Sequence, residues 1–137
     1  MITRAELDEY QSLLEERDDL KERLERKESQ LYTIKNQKYT AVLGGHGDVD
    51  KIGAAIAEVE ELREYYYAKV VECESLKIRM ETEFKILEDI ERKIMKYRYI
   101  DGLWWKDICV KVDMCWSNIH RTHRKILTKL QQNDREY

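Results

Sequence analysis

Proline is absent from this chain, and its five glycines fall in only two places: Gly44, Gly45, Gly47 and Gly53 in one stretch, Gly102 in another. These two residue types are the strongest local breakers of regular structure, so their distribution leaves two long uninterrupted segments ahead of Gly102. Charged residues make up 39% of the chain and hydrophobic ones 42%, with a single Phe. That mixture suits long amphipathic helices rather than a sheet-rich core.

The first segment runs from about Thr3 to Lys38, and Thr3 followed by Glu6 reads as a capping-box start. Leu13, Leu20, Leu24, Leu31 and Ile34 follow seven- and four-residue steps, widened by Leu7 and Leu14 and interrupted by Arg17 and Lys27. The second runs from about Val49 to Glu88. In it Val59, Tyr66, Cys73, Met80, Leu87 and Ile94 recur every seven residues, with Ile56, Val70 and Phe84 as companions. Such a repeat calls for a supercoiled helical partner. Leu62, Leu76 and Ile90 broaden its face. Each segment spans about 50–60 Å at 1.5 Å per residue, so a reversal at the glycines pairs them along their length. The breadth of the second face predicts a homodimer or higher homo-oligomer built on Val59, Tyr66, Val70, Cys73, Met80, Phe84 and Leu87. Of Tyr65, Tyr66 and Tyr67, one ring belongs in the seam and two on its flanks.

The last third has a different outline. Apolar residues at Ile108, Val112, Ile119, Ile126 and Leu130 follow helical spacing but form two blocks split by Asp113 and Met114. A two-turn helix from Trp105 to Val112, a tight turn, and a longer helix from Trp116 to Leu130 make a helix-turn-helix, whose second helix enters the major groove. A supporting helix running through Ile90, Ile94 and Tyr97 to Ile100 should precede it; Asp89 can cap it, and the sequence fits both a bend at Asp89 and a helix running straight on from the second segment. The expected fold is therefore all-α. A long antiparallel, coiled-coil-like hairpin occupies residues 1–88 with a glycine-rich loop at 40–53, a helix-turn-helix occupies 89–130, and a tail occupies 131–137.

Arg98, Tyr99, Ile100, Gly102, Trp105, Ile108, Ile119, Arg121, His123, Leu127, Lys129 and Leu130 stand in an order that resembles the promoter-reading region 4 of bacterial sigma factors. More closely, the string is similar to the sigma-like module of phage transcription regulators of the ArpU/RinA type. Those read R-Y-[IL]-x-G-x-[ST]-W-x-x-I-A, a glycine turn, and S-x-x-x-V-x-R-x-H-x-x-A-L-x-K-[LV]. Three positions depart from the pattern: Trp104 for a capping Ser or Thr, Asp113 for the turn glycine, and Cys115 for the serine cap of the second helix. Each lost cap oxygen should cost about 1 kcal/mol, whereas Asp tolerates a left-handed turn. The resemblance implies a late-gene regulator in the cytoplasm of a bacterial host, with double-stranded DNA and RNA polymerase as partners.

The net charge of −3 conceals an asymmetry. Residues 1–91 carry 23 acidic and 14 basic residues, a balance of −9, whereas residues 92–130 carry 3 acidic and 10 basic, a balance of +7. A basic end on an acidic body suits a polyanion at that end. On the longer helix Ile119, Thr122 or His123, Ile126 and Leu130 face inward. Trp116, Ser117, Asn118, His120, Arg121, Arg124, Lys125, Thr128 and Lys129 are the candidate DNA-binding residues. Asn and Arg match adenine and guanine edges, and Lys and Ser suit phosphates. Trp116 fits two placements, at the leading edge toward thymine methyls or a protein, or folded back beside Trp105.

Other chemistries find little footing. Three cysteines without regular spacing make no disulfide framework, no apolar run approaches membrane-spanning length, and the acidic N-terminus lacks a signal-peptide core. Cys109, Cys115, His120 and His123 match no usual zinc spacing, Cys109 standing at a small buried alanine position of the family pattern. The loop GGHGDVD at residues 44–50 follows no strand and precedes no phosphate-loop Lys, so it reads as a turn in which Asp48 or Asp50 caps the next helix. No nucleophile–base set can be assembled. The expectation is a DNA-binding regulator without cofactor or metal, not an enzyme. A packaging adaptor similar to small terminase subunits, and a helical interaction or inhibitor module without DNA binding, are the rival readings.

Overall fold

The computed structural model describes residues 2–40 and 47–135, with side chains described over residues 2–36 and 51–132. The described residues form five α-helices and no strand: α1 Arg4–Thr40, α2 Gly47–Glu83, α3 Asp89–Met95, α4 Trp105–Val112 and α5 Trp116–Arg135. None is long and apolar enough to cross a membrane. The architecture is the expected one, an antiparallel pair of long helices followed by a helix-turn-helix. The pairs Glu16–Lys69 and Lys27–Glu58 ascend α1 as they descend α2, which fixes the antiparallel sense. The glycine-rich loop is shorter than its expected span of 40–53: residues 47–53 belong to α2, while residues 41–46 lie outside the described residues. Asp48 and Asp50 therefore fall inside the first turn of α2 rather than ahead of it.

The chain divides into two compact units, Glu15–Glu72 and a second made of Met1–Leu14 with Cys73–Tyr137. In the first unit Leu24, Val59 and Leu62 are buried, flanked by Leu20, Leu31 and Tyr66. Tyr65 and Tyr67 stand in solvent on either side of Tyr66. The surrounding ion pairs are exposed and worth little individually.

In the second unit the hairpin's ends and the helix-turn-helix share one core. Ile2, Leu7, Tyr10 and Leu13 of the N-terminal end meet Cys73, Leu76, Met80, Phe84 and Leu87 there, together with Ile94, Met95, Tyr99, Ile108, Ile119, Ile126 and Leu130. Thr3 Oγ1 accepts from the Glu6 amide at 3.1 Å and starts α1 as expected. The seven-residue series is thereby filled within the chain. Val59, Cys73, Met80, Phe84 and Leu87 are buried, and Tyr66 and Val70 half-buried, so these positions assigned to oligomerisation are core positions of a single chain. A heptad pattern specifies a helical partner without specifying whether that partner belongs to the same chain.

The helix does not run straight past Glu83. A single 3-10 turn at Phe84–Ile86 leads to Leu87 at φ −82°, ψ 154°, and to an extended Glu88. Arg92 holds the break: its guanidinium donates to the carbonyls of Leu87 (2.9 Å) and Phe84 (3.3 Å) and reaches Asp89 (3.4 Å). Carbonyls at a helix end have no partner of their own, so a side chain supplying donors compensates for the lost turn. The cap of α3 is Glu88, not Asp89, and Glu91 Oε1 accepts from the Glu88 amide at 3.1 Å. The break resets the helical phase, which turns Ile90 to solvent at 42% exposure while Ile94 stays buried. After α3 the backbone widens into a π-turn over Lys96–Ile100, closed by the Asp101 amide on the Lys96 carbonyl at 2.9 Å. Gly102 follows at φ +72°, a left-handed conformation suited to glycine.

Candidate nucleic-acid interface

The helix-turn-helix begins without a side-chain cap. Trp104 stands at the cap of α4 with its side chain making no cap hydrogen bond, and only its carbonyl serves the helix, accepting from Asp107 (3.0 Å) and Ile108 (3.1 Å). Asp113 ends α4 at φ 55°, ψ 52°, a left-handed turn, and the Met114 amide closes on the Cys109 carbonyl at 3.1 Å. Cys115 precedes α5, its carbonyl accepting from Ile119 at 3.0 Å. The Ser117 hydroxyl, 3.6 Å from Sγ, and the Asn118 amide hold the Cys115 thiol below its ordinary range. A polarisable sulfur thus stands beside the first amides of α5.

Burial along α5 sorts its residues cleanly. Ile119, His123, Ile126 and Leu130 are buried, which settles the inward position between Thr122 and His123 in favour of the histidine. Ser117, Asn118, Arg121, Arg124, Lys125 and Thr128 are exposed together, with no acidic side chain between them. A shallow groove along the helix is lined by Arg121, Arg124, Lys125, Thr128 and Lys129. The Thr128 hydroxyl donates back to the Arg124 carbonyl at 3.0 Å. The helix continues to Arg135, so most of the expected tail is an extension of α5.

Trp116, the first residue of α5, is 59% exposed and does not fold back. Its ring meets His120 edge-on at 4.4 Å between centroids. His120 is tilted against Trp105 at 5.1 Å, and Trp105 meets His123 at 4.6 Å. His120, expected to face DNA, is half-buried between the two indoles, and its Nε2 is out of reach of solvent without a partner among the described residues.

The aromatic row ends on Tyr99, whose hydroxyl shares a 2.7 Å hydrogen bond with His123 Nε2. Burial, with Arg4, His120 and Arg98 nearby adding to it, pushes the His123 pKa down to about 4, so the ring is neutral at ordinary pH. Arg98 braces the same corner, donating to the Leu103 carbonyl at 3.0 Å and lying over the Trp105 ring at 5.0 Å. Gln11 of α1 donates to the carbonyls of Tyr99 (3.1 Å) and Ile100 (2.9 Å). These carbonyls stand at the C-terminal end of the π-turn, so the hairpin's end is tied by hydrogen bonds to the turn ahead of α4.

Lys129 borders the same groove but is paired within the chain. Its ammonium binds both carboxylate oxygens of buried Glu91, at 2.9 and 2.8 Å. Burial alone disfavours a charged Glu91, but Lys129 and the Glu88 amide outweigh it and hold its carboxyl below the ordinary range. Lys129 therefore ties α5 to α3. Sequence reading missed this pair, along with the roles of Arg92 and Gln11, because each reaches a partner that helical periodicity does not connect to it.

Cys109 is half-buried against the core, and Cys115 is exposed at the start of α5. Among the described residues no three His, Cys, Asp or Glu side chains are grouped as metal ligands. Compared with protein families, with curated proteins and with solved structures, the chain matches none.

Proposed function

We propose that the chain is a sequence-specific DNA-binding transcription regulator of the phage late-gene type, with α5 lying in the major groove. The observation that carries this reading is the solvent face of α5. Asn118, Arg121, Arg124 and Lys125 share it with Ser117 and Thr128 and, among the described side chains of α5, with no carboxylate, in a chain whose net charge is negative. The short helix, left-handed turn and longer helix supply the geometry that presents such a face to base edges. Arg121 and Asn118, nearer the N-terminus of α5, are the base readers, and Arg124 and Lys125 the phosphate contacts.

RNA polymerase belongs to the proposal as a second partner. Trp104 and Val110 are large apolar side chains exposed on the α4 side of the module, and lone phosphates offer them nothing. A homodimer, which would pair two half-sites, is also part of the reading, with its contacts outside the buried seven-residue series. Genomic footprinting of the full chain tests the function. Protection of discrete sites upstream of a transcription unit is expected. Uniform absence of protection at low salt would instead favour a helical interaction module.

A further inference from the structure

We propose that Trp116 is a specificity-determining residue that reads the 5-methyl group of a thymine in the bound site; this rests on α5 being the recognition helix. Trp116 is the first residue of α5, ahead of Ser117, Asn118 and Arg121 on the exposed face. Residues at the start of a recognition helix are the ones that approach base edges. Most of the Trp116 surface is open to solvent, yet its ring is not loose. It packs edge-on against His120, which packs on Trp105, which packs on His123 in the core. The outermost ring of that row is already ordered, so little rotamer entropy is lost when a ligand covers it.

The chemistry of the surroundings selects the occupant. The neighbouring exposed side chains are polar or cationic and suit a duplex, but an indole face gains little from a phosphate or a base amide. In the major groove the thymine methyl is the apolar group that a base pair presents. A flat, fixed apolar surface beside base-reading donors therefore matches a T·A pair at the edge of the site. The indole excludes water from the methyl, while Asn118 and Arg121 read the neighbouring pairs.

Deoxyuridine, which lacks only the methyl group, provides the test. Full-length protein is titrated by fluorescence anisotropy against its footprinted site, with each thymine replaced in turn by deoxyuridine. One replacement should weaken wild-type binding roughly fourfold, the value of burying about one methyl group. Trp116→Ala should bind the unmodified site more weakly and show no further loss at that replacement, so the two changes are not additive. Trp116→Leu, which keeps an apolar surface, should retain part of the methyl dependence. The exposed position makes each variant foldable, and circular dichroism checks this. Equal binding of all deoxyuridine sites by the wild type overturns the inference, as does a loss that persists unchanged in Trp116→Ala. Failure of the wild type to bind any duplex is a different result, and it overturns the DNA-binding reading itself.

Discussion

Lys129 Nζ lies 2.9 Å from Oε1 and 2.8 Å from Oε2 of Glu91, so this basic residue of α5 is engaged by a buried carboxylate of the chain itself. The carboxylate it meets is 6% exposed, and a buried charge left without its partner is strongly unfavourable. Lys129→Ala should therefore lower the melting temperature while leaving the salt dependence of DNA binding unchanged. Lys125→Ala should do the reverse, flattening that dependence by about one unit of slope with little effect on melting. Because the folded Glu91 pKa is depressed, the pair's stabilisation is present above the ordinary value of 4.5 and is lost as pH falls through the folded value. Thermal melts and salt titrations on both variants check the assignment. A changed slope for Lys129→Ala would return that residue to the DNA face.

His123 predicts a second loss of stability, at higher pH. Its folded pKa is depressed from 6.5 to about 4, so the unfolded chain takes up the proton first. The contribution is complete above 6.5 and disappears as pH falls from there to 4. At ~1.4 kcal/mol per pH unit it amounts to at most roughly 3 kcal/mol. Urea unfolding between pH 7 and 4 should show the decline. His123→Phe, which cannot titrate, should start lower for want of the Tyr99 hydrogen bond and decline less. Parallel curves for the two proteins would contradict the buried neutral imidazole.

Gly102→Ala should destabilise the second unit through two separable effects. The residue has φ +72°, and an added Cβ would lie 2.7 Å from Gln11 Oε1. The left-handed backbone costs an L-residue about 1–2 kcal/mol. Moving Gln11 aside also weakens its hydrogen bonds to the Tyr99 and Ile100 carbonyls. In a Gln11→Ala background the clash is gone, so Gly102→Ala should cost less there than in the wild type. Chemical denaturation of the four proteins in this cycle measures the difference. Simple additivity would show that Gln11 and Gly102 do not interact.

Met80 tests where the seven-residue series does its work. It is fully buried among residues of one chain. Met80→Ala should cost roughly 2–5 kcal/mol, and the loss should be the same at every protein concentration. A penalty that shrinks as concentration rises would place the series between chains instead.

Much of this architecture was legible because it depends on local rules. Lack of proline left the long helices intact, and the split at Asp113 marked α4 and the start of α5. The exposed face of α5 followed from helical spacing once Ile119, Ile126 and Leu130 were placed inside. The rest depends on partners distant in sequence. At Leu87 the local signal is only a capping acid, Asp89, one residue past the actual cap; no glycine or proline stands beside the break, which is held by Arg92 reaching back to carbonyls. That break is also why Ile90, in phase with the α2 face, lies outside the core. A heptad is silent about the identity of its partner, so the repeat alone does not show that Met80 and Phe84 are buried within one chain. Lys129 has the composition of a phosphate contact, and only Glu91, on a different helix, shows its actual role.

On the proposed function, the exposed face of α5 meets bases with its N-terminal half and phosphates with the residues after it. Anisotropy titrations on the preferred duplex and on a scrambled one, at several salt concentrations, test it most directly. Asn118→Ala or Arg121→Ala should cost roughly 1–3 kcal/mol on the preferred duplex and change the scrambled one much less. Lys125→Ala should weaken both alike, with the flattened salt slope already described. Equal losses on both duplexes from all three substitutions would contradict base reading by α5, and an intact chain that binds neither duplex at low salt would contradict DNA binding altogether.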